Sequence, residues 1–307
     1  MGRKLLPLLL EQGVSVKVLA RPASGRKMEP RPGLEWVAGD LRDPDALERL
    51  ATDTDVIIHL AGLTKARSNA EFDQVNAAAT GLLAGIARDA GVRHFIHVSS
   101  LTATRADVSA YARSKAAGER LARDAAGTMP VSIIRAPAVI GPEDSATQTM
   151  FRLLARGLLP VPGGRARNYR FSVIDVDDLA ALLARRARDD KPRSEVMTPA
   201  GHLSLRWNDI ADSAARVTGR KINMLAVPAL LFDAAGFIAD GTARITGRPH
   251  VFSTGKVREL QAGDWLADRA IELPTALDVT MARCLAPFLA PGGFRPVHRG
   301  GIEKRDV

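Results

Sequence analysis

In the first half of the chain, short runs of β-branched and apolar residues alternate with longer stretches of helical spacing, and this alternation limits the fold more than any other feature. The short runs are residues 14–19, 36–37, 56–60, 95–98 and 131–134; the longer ones are 44–50, 71–90, 112–125 and 147–159. Strands separated by helices and apolar on both faces pair in parallel, with helices on each side of the sheet. The expected fold class is α/β, a doubly wound parallel sheet with a smaller C-terminal lobe. Past Pro160 the rhythm stops, and Pro162-Gly163-Gly164 marks a loop into that lobe. Helical runs at 177–188, 207–217 and 275–289 belong to the later part, and the Pro-, Gly- and charge-rich tail 291–307 reads as loose.

A doubly wound sheet normally opens with a strand, a glycine-rich turn and a helix whose N-terminus faces the phosphates of a dinucleotide. Here the helix comes first: Leu5, Leu6, Leu8, Leu9 and Leu10 lie within residues 3–12, and Gly13 stops it. Gly2 then stands where the last glycine of the turn belongs. The opening strand is central in such a sheet, so its absence exposes unpaired backbone on both neighbours. The sequence is therefore expected to start inside a longer reading frame or to be a shortened form.

Composition removes several function classes. With 307 residues, 46% of them apolar, the chain fills a core. The formal charge of +9 invites a nucleic-acid reading, but Lys and Arg are interspersed with acids and rarely with aromatics, so no nucleic acid is expected as partner. Pro228, Asp233 and Asp240 interrupt the most apolar region, 222–245, so no integral membrane segment is expected. The first residues have no secretory apolar core, and one cysteine, Cys284, makes no intrachain disulfide, so a cytoplasmic location is expected. The six histidines have no ligand spacing, so no metal is expected, and His59, His94 and His97 read as structural.

Tyr111 and Lys115 stand one helical turn apart, after a strand ending in Val98-Ser99-Ser100. Ser100 falls at the C-terminal end of a parallel strand, where α/β sheets hold ligands. Together with Gly39-Asp40-Leu41-Arg42-Asp43, His59-Leu60-Ala61-Gly62, Asn76 with Thr80, Arg135-Ala136-Pro137-Ala138-Val139-Ile140-Gly141-Pro142 and Val176-Asp177-Asp178-Leu179-Ala180, these pieces resemble the extended short-chain dehydrogenase/reductase superfamily, the NAD(P)-dependent epimerase/dehydratase group. The resemblance runs from Gly2 to about Leu289.

The resemblance implies a Rossmann-like NAD(P)-binding domain over 1–160 and a substrate lobe over 161–307, with part of 165–200 returning to the sheet. It implies hydride transfer between a substrate carbon and nicotinamide, with Tyr111 moving the proton, Lys115 binding the nicotinamide ribose and favouring phenolate, and Ser100 polarising the substrate oxygen. Gly2, Asp40, Leu41, Leu60, Ala61, Gly62, Ser99, Tyr111, Lys115, Pro137, Ala138 and Val139 are the implied cofactor contacts. Asn76 either holds the strands open near the site or caps a helix. Where an NAD enzyme usually carries a carboxylate after the second strand, this chain has Arg21, then Ser24, Arg26 and Lys27, so NADP is expected, with NAD the alternative.

Two enzyme readings compete. Phe171 stands where sugar-nucleotide enzymes of the group commonly have Arg, although Arg170 is adjacent, and no Asn follows Arg135; both weaken that reading. Met224, Leu225, Val227, Leu230, Leu231, Phe232, Phe237 and Ile238 fall near helical spacing, a stripe read first as core and second as the wall of an apolar pocket. The second option resembles the 3β-hydroxysteroid dehydrogenase and dihydroflavonol reductase branches, which act on a secondary alcohol or ketone of a hydrophobic small molecule. A third reading is a dinucleotide-binding scaffold without catalysis. By analogy with relatives, 71–90 and 112–125 are candidate helices for a homodimer.

Overall fold

The computed structural model describes residues 1–21, 29–144, 147–246 and 253–289, with only the backbone of 243–245. Ser24, Arg26, Lys27 and the tail 291–307 lie outside the described residues. The first helix, α1 (Gly2–Glu11), is followed by Gly13 at φ 74°, a left-handed turn suited to glycine, which leads into β1 (Val16–Ala20). β2 (Leu34–Ala38) pairs with β1 in parallel. Asp43 then accepts from Ala46 N at 3.2 Å and, with Pro44 in the first turn, starts α2 (Pro44–Ala51). β3 (Val56–His59) follows.

The expected helix over 71–90 is three pieces: α3 (Asn69–Asp73), a π-turn over Gln74–Ala78, and α4 (Ala79–Asp89). The wider turn brings Asn76 inside, where it is fully buried, so its reading as a helix-start cap does not hold. β4 (His94–Ser100), α5 (Ala110–Ala126), β5 (Val131–Ala136) and β6 (Ala138–Ile140) complete the first half. Gly118 of α5 crosses the π-turn so closely that a Cβ there would lie 2.2 Å from the Asn76 carbonyl oxygen.

In the second half, α6 (Gln148–Ala155) ends before Gly157, at φ 82°, and β7 (Leu158–Pro162) begins. The helix expected over 147–159 therefore stops short, because Leu158 and Leu159 pair as a strand. β8 (Phe171–Asp175), α7 (Val176–Ala187), β9 (Glu195–Met197), β10 (Pro199–Ala200), β11 (His202–Leu205) and α8 (Trp207–Thr218) come next. β12 (Asn223–Val227) runs parallel to β7, so Met224, Leu225 and Val227 are strand residues, and helical spacing begins only with α9 (Ala229–Thr246). α10 (Thr254–Gln261), β13 (Arg269–Ala270) and α11 (Leu277–Leu285) end the described chain.

The central sheet is parallel, in the order β3-β4-β5-β9, with helices on both faces: a doubly wound α/β fold. One face packs Leu47, Leu83 and Phe95 with α2, α4 and α5; the other packs Leu5, Leu9, Leu179 and Leu183 of α1 and α7. A separate core of Phe151, Leu154, Ile210, Met281 and Leu285 fills the C-terminal lobe.

Among the described residues β1 pairs only with β2, and β3 only with β4. Their free edges line a slot of about 2400 Å³. Between β1 and β3, among the described residues, two rows of backbone groups lack ladder partners.

Candidate active site

Ser109 begins α5 by accepting from Ala112 N at 3.0 Å, which sets Tyr111 in the first turn and Lys115 one turn on. Ser100, the last residue of β4, starts a short 3₁₀ turn, its Oγ accepting from Thr102 N at 3.2 Å and Thr102 Oγ1 at 2.9 Å. The same hydroxyl faces the Tyr111 phenol closely enough to pull its pKa down, against the larger effect of burial. Phe72 of α3 packs against the Tyr111 ring, centroids 5.9 Å apart. Sequence reasoning had brought Ser100, Tyr111 and Lys115 together; the fold does the same.

Lys115 is 4% exposed and donates to the Val98 carbonyl at 2.9 Å. Burial lowers its pKa to about 8, partly offset by Glu119. Burial also pushes Tyr111 up to about 12, outweighing the Ser100 hydrogen bond. Burial is the largest influence on the phenol, and the Glu259 charge acts in the same direction.

Beneath the site lies a group that the sequence reading missed. Glu119, 2% exposed, accepts from Ser99 Oγ at 2.6 Å and from Arg135 at 3.0 and 2.7 Å. Ser99, expected among the cofactor contacts, therefore spends its hydroxyl on Glu119. The available signal was the four-residue spacing of Lys115 and Glu119, which puts both on one helix face. Glu259 of α10 had no such signal. It is buried, accepts from Ser109 Oγ at 2.6 Å and from Lys256 at 3.1 Å, and its charge raises Tyr111.

Asn76 clamps the loop after β3: Oδ1 accepts from Leu63 N at 2.7 Å, while Nδ2 donates to Leu63 O at 2.9 Å and Ser114 Oγ at 3.0 Å. The three histidines are buried, His59 and His97 stacked at 5.3 Å. Asp175 and Asp177 take Arg283, and Asp178 takes Thr275, so these carboxylates tie the lobe to the sheet. Arg170 is paired with Asp264 at 3.0 Å. Among the described residues no group of His, Cys, Asp or Glu is arranged for a metal, and no helix is long and apolar enough to cross a membrane.

Two cavities adjoin here. The slot beside β1 is lined by Gly2, Arg21, Asp40, Leu41, Leu60, Ala61 and Gly62. The second, about 2020 Å³, is lined by Ser99, Ser100, Tyr111, Lys115, Pro137, Ala138 and Val139. Gly2, Leu60 and Gly62 line both. These features fit a dinucleotide. At the junction a Cβ on Gly62 would lie 3.0 Å from Asn76 Oδ1 and 3.8 Å from Lys115 Nζ, so glycine keeps the passage open. At the outer end Asp40 accepts from Arg42 at 2.8 Å, and that hydrogen bond, helped by the charges of Arg42 and Arg21, holds its carboxyl below the usual range.

The sequence model described as the NAD dependent epimerase/dehydratase family matches residues 1–197. Ceramide reductase from Caulobacter vibrioides is 37% identical over 271 residues, 88% of this chain and 84% of that protein. A 4-hydroxy-2-methyl-3-oxo-4-farnesyl-3,4-dihydroquinoline-1-oxide ketoreductase from Stigmatella aurantiaca is 28% identical over 207 residues, 61% of this chain and 62% of that protein. The solved structure of MoeE5 with UDP-glucuronic acid and NAD shares the fold, with a TM-score of 0.66 at 21% identity over 93% of this chain and 94% of the other.

Proposed function

The chain belongs to the NAD dependent epimerase/dehydratase family, and we propose from that premise that it is an NADPH-preferring reductase of a ketone carried on long apolar chains, of the ceramide type. The observation that carries this reading is the meeting of Ser100, Tyr111 and Lys115 on a cavity whose walls include Leu63, Met150, Leu153, Phe171, Trp207 and Trp265. Two relatives named as reductases, one of ceramide and one of a farnesylated ketone, support the same substrate class. Engagement of Arg170 by Asp264 speaks against the sugar-nucleotide reading, which needs a free cation there.

In this reading residues 1–160 hold the cofactor and the C-terminal lobe holds the substrate. Gly2, Leu60, Ala61 and Gly62 line the dinucleotide, Arg21 meets a 2′-phosphate, Asp40 and Leu41 meet the adenine, and Pro137 to Val139 flank the nicotinamide. When bound, NADPH supplies the hydride to the carbonyl carbon. Ser100 donates a hydrogen bond to the carbonyl oxygen, and Tyr111 gives that oxygen its proton, yielding a secondary alcohol. A phenol held at about 12 starts in the protonated form that reduction requires. Lys115, with a pKa of about 8, exchanges protons readily near neutrality and returns one to the phenolate.

The test is turnover of a 3-oxo sphingolipid with NADPH and with NADH, for the chain and for Tyr111→Phe. The substitution is expected to lower turnover by about 10²–10⁴-fold with cofactor affinity retained. An unchanged rate, or turnover of UDP-sugars in its place, overturns the reading.

A further inference from the structure

We propose that Arg105 is a positioning residue, which holds Trp265 in place as the apolar wall for the hydrocarbon chain of the substrate. The sequence reading took the stripe from Met224 to Ile238 first as core and second as such a wall. The structure corrects both: Leu230, Leu231, Phe237 and Ile238 are exposed, and no residue of the stripe lines the cavity that holds Tyr111. Trp265 does line it.

Arg105 closes the 3₁₀ turn that starts at Ser100. It is not itself among the lining residues, so it acts through what it holds. Its Nη1 donates to the Ala262 carbonyl at 2.7 Å and its Nη2 to the Asp264 carbonyl at 2.5 Å, while the guanidinium carbon lies 4.4 Å over the centre of the Trp265 ring. Gly263 stands between the two carbonyls at φ 104°, a left-handed conformation that suits glycine. One planar cation thus grips two carbonyls and a ring of the same short strap.

Each polar group of Trp265 is engaged. The indole N–H donates to the Glu259 carbonyl at 2.7 Å, the main-chain N–H to the Arg170 carbonyl at 2.9 Å, and the main-chain carbonyl accepts from Ser172 N at 2.9 Å. The side chain therefore offers carbon to the cavity, which suits a hydrocarbon chain and gives a sugar hydroxyl no partner. The same strap is tied to the reacting groups twice. Arg105 joins it to the turn after Ser100, and Glu259 joins it to Ser109, which starts the helix of Tyr111. That the chain belongs to a ketone rests on the reductase reading; the wall itself does not.

The experiment is calorimetric titration of the full chain with the N-methyl amides of 3-oxobutanoic, 3-oxooctanoic and 3-oxododecanoic acid. The proteins are wild type, Arg105→Met, Arg105→Lys, Trp265→Ala and the double variant Arg105→Met/Trp265→Ala. Wild type is expected to bind the longest amide at least about tenfold more tightly than the shortest, because methylenes leave water. Arg105→Met and Trp265→Ala are each expected to lose about tenfold for the longest and less than about threefold for the shortest, and the double variant no more than either. Arg105→Lys is expected to behave as Arg105→Met, since an ammonium lacks the planar fork that reaches both carbonyls. Equal losses for short and long chains, losses that add in the double variant, or no gain with chain length in wild type overturns the proposal. Thermal melts identify a variant that fails to fold, and Arg105→Lys with Trp265→Ala carries the same comparison should Arg105→Met be one. Turnover with NADPH is measured in parallel. Turnover without the chain-length pattern removes the wall and leaves the reductase reading; the pattern without turnover removes the reductase reading and leaves the wall.

Discussion

Ser109, which starts the helix carrying Tyr111, donates its hydroxyl to Glu259 of α10 at 2.6 Å across 150 positions of sequence. The C-terminal lobe thereby sets both the position and the electrostatics of the Tyr111 turn. Replacing Glu259 by Gln keeps an acceptor for Ser109 and removes the charge that raises Tyr111. In a Tyr169→Phe background, which leaves one tyrosine, ultraviolet titration of tyrosinate is expected at lower pH for Glu259→Gln than for Glu259. No movement would show that the carboxylate does not face the phenol.

The Glu119–Arg135 pair is a second target. Glu119 is buried and Arg135 partly so, with contacts of 3.0 and 2.7 Å. Glu119→Leu leaves the guanidinium without its carboxylate and also frees Ser99, and is expected to cost about 3 kcal/mol in urea unfolding. Glu119→Leu with Arg135→Met is expected to cost less than the single change, because no unpaired charge remains.

Acid stability follows from the buried histidines. Burial holds His59 down to about 3, His94 to about 4 and His97 well below its ordinary value. Below pH about 6.5 the unfolded chain takes up protons that the folded chain refuses, so stability falls as pH drops. Unfolding free energies measured between pH 7 and pH 5 are expected to decline, and His97→Phe is expected to flatten that slope.

Lys115 acts in the opposite pH range with the same sign. Its folded value of about 8 lies below the ordinary 10.5, so between those two values the unfolded chain binds more protons and stability rises with pH. Lys115→Met is expected to remove that rise while abolishing turnover.

Cofactor choice and the slot can be read by titration. Arg21→Glu is expected to shift the NADPH to NADH affinity ratio toward NADH by at least about tenfold. The slot between β1 and β3 has the two free edges that a parallel strand needs. Adding an apolar strand and a glycine-rich turn ahead of Met1 is expected to raise both the melting temperature and dinucleotide affinity. If neither rises, the slot does not take a strand.

The alternation of β-branched runs and helical stretches located β1 to β5 and their helices, because a strand buried on both faces must be apolar throughout. Ser100, Tyr111 and Lys115 were legible for a related reason: a strand end and one helical turn are local geometry, and a spacing of four residues encodes it.

Tertiary structure decided what depends on distance or burial. The π-turn at Asn76 exists because Gly118 lets α5 approach that backbone and Leu63 offers both bonding groups, and no local pattern announces either. Glu259 reaches Ser109 from 150 residues away. Tyr111 is pushed up from 10 to about 12 because burial and the Glu259 charge outweigh the Ser100 hydrogen bond, a balance that residue identity alone does not set. The stripe on α9 faces solvent because Gly236 and Asp240 turn its other side to α10: periodicity names the apolar face of a helix, and only the packing says what covers it.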